Sequence, residues 1–271
     1  MFSYEKHKQS NQANYKDKAS DHDTLGLNST LRLAYRDAGE LLSRHLCKKN
    51  GPIEFLDFGC GVGLSTDIYA TKVRQQGFDV NVTGVDVSEA NLAIARNKLP
   101  NADLRLISPG DKLVGLGKFD LIICNFVLVE MESKDMSDVL STLHTKLAED
   151  GILIVTNTTA RVYRPGNTWY SFKTDFPENI PTRTAEETTR LKYNEDQPVK
   201  IHVFASKNQD QGFSFSDYFH SGTSYRSAYA SAGLKLLETH KPLGKSDDKV
   251  EWQSEQKEPP YKIHVLNKNR R

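Results

Sequence analysis

The chain is poor in cysteine and has no long apolar run. Its three cysteines, Cys47, Cys60 and Cys124, stand without C-x-x-C spacing in 271 residues. That argues against a disulfide framework and a cysteine-based zinc site, and no metal is expected. No apolar stretch approaches the ~20 residues needed to span a bilayer. The opening Met1-Phe2-Ser3-Tyr4-Glu5-Lys6-His7-Lys8 lacks the apolar core of a secretory signal. A cytoplasmic protein without a membrane partner is expected. An excess of one charge is missing too: 36 basic and 35 acidic residues leave a net charge of +1. No global field draws the chain onto nucleic acid, and no nucleic-acid partner is expected.

What is present begins at Phe55-Leu56-Asp57-Phe58, an apolar run that enters Gly59-Cys60-Gly61-Val62-Gly63. Glycine has no Cβ and accepts positive φ, so such a loop lets a ligand approach the backbone closely. A second apolar run, Val82-Thr83-Gly84-Val85, ends in Asp86. An acid at that strand tip is placed to hold two ribose hydroxyls. The pair points to a nucleoside cofactor. The nicotinamide fingerprint G-x-G-x-x-G would need a third glycine at position 64, where the chain has Leu64. Cys60 has no local histidine to activate it and reads as a small side chain packed under the loop.

The elements around the loop alternate. Asn28-Ser29-Thr30 offers helix caps, and Leu31, Tyr35, Ala38, Leu42 and Leu46 recur at helical spacing. Strands are expected over 53–58, 80–87, 104–107, 119–124 and 152–156, with helices over 64–76, 88–99 and 133–148. Five strand–helix alternations predict a parallel, doubly wound α/β sheet. Residues 160–198 are irregular. Period-two alternation over 199–205 and 213–220 predicts an antiparallel hairpin, followed by a helix over 224–232 and strands over 234–240 and 261–266.

From about residue 53 to 267 the chain resembles the class I S-adenosylmethionine-dependent methyltransferases. The residues that carry the likeness are Asp57-x-Gly59-x-Gly61-x-Gly63, Asp86, Phe119-Asp120-Leu121-Ile122-Ile123 and Leu147-Ala148-Glu149-Asp150-Gly151-Ile152-Leu153. The resemblance implies a Rossmann-like, seven-stranded, mostly parallel sheet whose last strand runs antiparallel beside the fifth. It also implies an S-adenosylmethionine cofactor, leaving as S-adenosylhomocysteine. Gly59, Cys60, Gly61 and Gly63 would pass its methionine end, with Asp57 orienting the loop or accepting from the α-amino group. Asp86 would take the ribose, Val87 and Ser88 would flank the adenine, and Asp111 or Ser108 would meet its amino group. Asn125 and Phe126 fall where the methyl group should emerge.

Cys124-Asn125-Phe126-Val127 is not the Asn/Asp-Pro-Pro-Tyr signature used on amide and base nitrogens. The expected acceptor is therefore an oxygen or nitrogen of a small molecule; the alternatives are a protein or RNA methyltransferase and a non-catalytic cofactor-binding module. Residues 1–50 are expected to cap the cofactor site, and 51–271 to form the catalytic domain with a substrate-side hairpin lid inserted at about 160–221. Tyr15, Tyr163, Trp169 and Tyr170 are the expected acceptor-binding aromatics. Phe213, Phe215 and Phe219 share one face of their strand and read as the hairpin's own core. Tyr218 and His220 fall on the other face, and His220, titrating near neutral pH, is the expected general base. A monomer or homodimer is expected.

Overall fold

A computed structural model of the chain describes residues 26–46, 51–179, 193–204 and 212–269. The main sheet has seven strands: β1 (Ile53–Phe58), β2 (Val80–Asp86), β3 (Asp103–Leu106), β4 (Phe119–Asn125), β5 (Leu147–Thr158), β9 (Leu234–His240) and β10 (Tyr261–Lys268). They lie in the order β3-β2-β1-β4-β5-β10-β9. The first five are parallel, and β10 runs antiparallel to both β5 and β9, as the resemblance implied. The chain order reverses between β1 and β4, so a crevice opens beyond the carboxyl ends of these strands.

Strand alternation sends neighbouring residues to opposite faces. Phe55, Leu121, Ile123, Ile152 and Ile154 pack with Leu33, Ala38, Leu41, Tyr69 and Val73. Leu56, Phe58, Ile122, Cys124, Leu153 and Val155 pack on the opposite face with Met136, Leu140, Leu143, Tyr225 and Tyr229. The helices that supply these residues are α1 (Arg32–Tyr35), α2 (Ala38–His45) and α3 (Leu64–Gln75) on the first face. On the second they are α5 (Ser133–Lys146) and α6 (Gly222–Ser231). Between β2 and β3 runs α4 (Glu89–Lys98), whose cap Ser88 accepts from the Asn91 amide at 3.3 Å. Such a cap contributes roughly 1 kcal/mol.

Two expectations change. The single helix read from 28 to 46 is two short ones, interrupted at Arg36-Asp37. Asp37 is held there by the adjacent Arg36 at 2.8 Å and by His240 at 2.7 Å, the latter a tertiary contact that outweighs the helical stripe. The predicted hairpin is real, with β7 (Pro198–Phe204) antiparallel to β8 (Gly212–Tyr218). A short third strand, β6 (Phe172–Lys173), joins it at the β7 edge to make a separate sheet. Among the described residues, no helix is long and apolar enough to cross a membrane.

A buried carboxylate ties the outlying segments together. Glu255 Oε1 accepts from Thr30 Oγ1 and from the Tyr170 amide, each at 2.8 Å, and Oε2 accepts from the Gln253 amide at 3.0 Å. The Thr30 amide also donates to Ser171 Oγ at 2.8 Å. The segment before β1, the insertion and the loop before β10 thus meet at one fully buried anion.

Candidate functional site

A cavity of about 310 Å³ lies beyond the carboxyl ends of β1, β2 and β4. Its first end is built by the glycine loop. The amides of Gly59 and Cys60 both donate to the Val85 carbonyl, at 2.8 and 3.0 Å, which locks the loop onto β2. Gly59 has φ +78°, and a Cβ there would stand 2.3 Å from Val127 Cγ2. Gly61, at φ +52°, lines the cavity and would meet nothing within 4 Å, so its exposed backbone is a cradle for a ligand. The Gly61 amide donates to Asp86 Oδ2 and the Ser88 amide to Oδ1, each at 2.8 Å. Asp86 lines the cavity with its carboxylate held by these amides. Burial raises its carboxyl, and the amides of Ser88 and Gly61 with the Asn91 side chain oppose that.

The other end is walled by the added sheet. Along β8, Phe213, Phe215 and Asp217 face the cavity; from β7, Ile201 and Val203 pair with Phe215 and Phe213 on the same face. Val162, Ser171 and Phe172 complete this wall, and Ser29, Leu31 and Tyr35 approach from the segment before β1. Asn125 and Phe126 line the junction between the two ends. Phe126 takes φ +59°, its amide donating to the Thr156 carbonyl at 2.8 Å and its ring set edge-on to Tyr261. Neither the amide oxygen nor the amide nitrogen of Asn125 has a hydrogen-bond partner, though the residue is buried. Such orphaned groups are costly unless a ligand answers them.

A family model described as "Methyltransferase domain" matches residues 30–239. The chain belongs to this methyltransferase family. It is 29% identical over 120 residues to a carboxy-S-adenosyl-L-methionine synthase of Campylobacter hominis, covering 44% of this chain and 48% of that one. It is 33% identical over 125 residues to a trans-aconitate 2-methyltransferase of Variovorax paradoxus, covering 44% and 43%. The chain thus spans about half the length of these curated relatives. A Clostridium acetobutylicum S-adenosylmethionine-dependent methyltransferase shares the fold, with TM-score 0.58 and 18% identity over 87% of this chain and 92% of that one.

The site fits S-adenosylmethionine, the family's cofactor. The Asp86 carboxylate suits a ribose diol, the bare Gly61 backbone suits a chain passing close by, and Val87 and Ile107 offer apolar flanks for a flat base. Asp57 does not line the cavity and is tied to the helix that follows the loop. It is wholly buried, and its Oδ2 accepts from Ser65 and Thr66 hydroxyls, each at 2.7 Å, which fastens α3 to β1. Burial pushes its carboxyl up to about 7. Gly63 serves as the N-cap of α3 and Ser88 as that of α4. Asp111 is exposed and accepts from the Leu113 amide at 2.6 Å, with no place on the cavity wall. Cys60 lines the cavity, but burial pushes its thiol up, which suppresses the thiolate.

The expected acceptor-side aromatics give way to nearby residues. Tyr163, Trp169 and Tyr170 are absent from the cavity wall. Tyr163 and Trp169 belong to a small core of their own, with Trp169 stacked on Phe172 and its Nε1 donating to the Val162 carbonyl. Tyr170 rests edge-on against Trp252. Their neighbours Val162, Ser171 and Phe172 form the wall instead. Tyr15 lies outside the described residues.

His220 and Tyr218 face away from the cavity, as the period-two pattern requires once Phe213 and Phe215 face in. His220 Nε2 donates to the Met131 carbonyl at 2.9 Å, and burial lowers its basicity. Tyr218 is buried beside Glu132, Asp196 and Asp135, its phenol pushed up to about 12, chiefly by burial. The residue that sequence reasoning passed over is Asp217. Its signal was legible: an acid at the same alternation phase as Phe213 and Phe215 is a charge on an apolar face.

Proposed function

We propose that this chain transfers a methyl group from S-adenosylmethionine to an oxygen or nitrogen of a small molecule with an apolar body. One observation carries the reading: a single cavity runs from the glycine loop and Asp86 to a wall of Phe172, Ile201, Val203, Phe213 and Phe215. When bound, S-adenosylmethionine supplies an activated methyl group on a sulfonium. The chain's task is then mainly to position, and positioning alone supplies a large share of such a rate. Asp86 and the loop backbone fix one partner. The β7–β8 face holds the apolar body of the other and keeps water from the gap. Asn125, at the junction, offers a donor and an acceptor to orient the reacting group.

An acceptor end closed in by Val162, Phe172, Ile201, Val203, Phe213 and Phe215 suits a small molecule better than a peptide or an RNA strand. Its continuity with the cofactor end also supports turnover over binding alone. The test is calorimetric titration of S-adenosylmethionine and S-adenosylhomocysteine into the wild-type chain, then a screen of small acceptors for methyl incorporation. Absence of binding would sink the reading. Binding without incorporation into any amine or alcohol would favour the non-catalytic module.

A further inference from the structure

The acceptor end of the cavity holds an acid that no group in its wall answers. Asp217 is 2% exposed, lines the cavity, and its Oδ1 has no hydrogen-bond partner. Of the side chains that line this end, Val162, Phe172, Ile201, Val203, Phe213 and Phe215 carry no donor, and the Ser171 hydroxyl is spent on Thr30 Oγ1 at 3.0 Å. No lysine, arginine or histidine is among the described residues that line the cavity. A second acid, Glu130, lies on the same wall. An uncompensated buried carboxylate is costly, and a sheet that keeps one facing a cavity leaves its partner to come from outside.

Resting on the methyl-transfer reading above, we propose that the acceptor is an amine with an apolar body, bound as its ammonium form by Asp217 with Glu130 nearby, and that Asp217 receives its proton. Three chemistries can be compared for the missing partner. A carboxylate would set a further acid beside these two. A hydroxyl brings one donor and no charge, and leaves the two acids opposing each other. An ammonium brings two or three donors and the compensating charge, while its apolar body meets the phenylalanine wall.

The ammonium form has no lone pair and cannot accept a methyl group. On proton transfer the N–H bond breaks, an O–H bond forms on Asp217, and the nitrogen keeps the electron pair. Burial, with Glu130's charge added to it, holds the Asp217 carboxyl well above the usual carboxylate range, which makes it a competent proton acceptor. Asp217 is thus positioned both to recognise the acceptor and to activate it.

The test measures binding, apart from turnover. 2-Phenylethylamine, 2-phenylethanol and phenylacetate are titrated into the full chain saturated with S-adenosylhomocysteine, for wild type and Asp217→Asn. The amine is expected to bind about tenfold tighter than the alcohol in wild type, as one charge-assisted hydrogen bond gives. Asp217→Asn is expected to remove that preference while holding S-adenosylhomocysteine within about twofold, which also shows the variant folded. No S-adenosylhomocysteine binding by wild type would fell the methyl-transfer reading and this proposal together. With that binding intact, equal affinity for amine and alcohol would overturn the amine proposal alone. So would no amine binding, or undiminished amine binding by Asp217→Asn.

Discussion

The two ends of the cavity are built by different means. The cofactor end uses backbone and a single acid: Gly59 to Gly61 and Asp86 are set by strand ends and amide hydrogen bonds within a short stretch of chain. The acceptor end uses side chains from segments far apart, carried on a second sheet. Backbone at strand tips tolerates little change, because each amide is already committed. A pleated face can be redecorated position by position. One end is therefore fixed by geometry, and the other is tuned by which side chains a strand happens to present.

The largest break in this contrast is expected from Asp86→Ala. Two hydroxyl hydrogen bonds to a charged group are lost, about 3 kcal/mol or roughly a hundredfold in cofactor affinity, read by calorimetry. Unchanged affinity would mean that the acid serves only the loop. Next comes Gly59→Ala, which places a methyl against Val127 Cγ2 at positive φ. Urea unfolding should show a loss of about 2 kcal/mol, of which Val127→Ala in the same chain recovers only the steric part. Full recovery would show that φ carries no cost there.

Smaller per unit of the quantity varied is an effect of pH. Asp57 is protonated in the folded chain up to about pH 7, while an unfolded aspartate ionises near pH 4. Between those values the folded state holds the extra proton, so stability falls as pH rises, by up to about 1.4 kcal/mol per unit, and levels off above. Asp57→Asn should flatten that slope in denaturant titrations from pH 4 to 8. A slope equal to wild type would mean that Asp57 titrates normally. The smallest effect is expected from Asp111→Ala: cofactor affinity within about twofold, since the side chain only accepts from the Leu113 amide. A tenfold loss would place Asp111 on the ligand after all.

The same contrast explains what could be read from the chain alone. The glycine loop and Asp86 were legible because their chemistry sits in contiguous residues whose type has few other uses. The seven-strand order was legible once the antiparallel final strand was added by resemblance. Tyr163, Trp169 and Tyr170 misled because an aromatic residue serves a small core as readily as a cavity wall. Which neighbour faces inward depends on how the added sheet docks, and nothing local fixes that. The break at Arg36-Asp37 was illegible for a similar reason, since its partner His240 lies 203 residues away.

The carboxylate of Glu255 couples three segments whose neighbours Ser29, Leu31 and Ser171 line the cavity. Thr30, Tyr170 and Gln253 hang from one anion, so a displacement of any one of them breaks bonds for all. Such a joint opens as a single cooperative step instead of fraying strand by strand. In native-state hydrogen exchange, the amides of Thr30, Tyr170 and Gln253 would share one opening free energy, distinct from that of the seven-stranded sheet beneath.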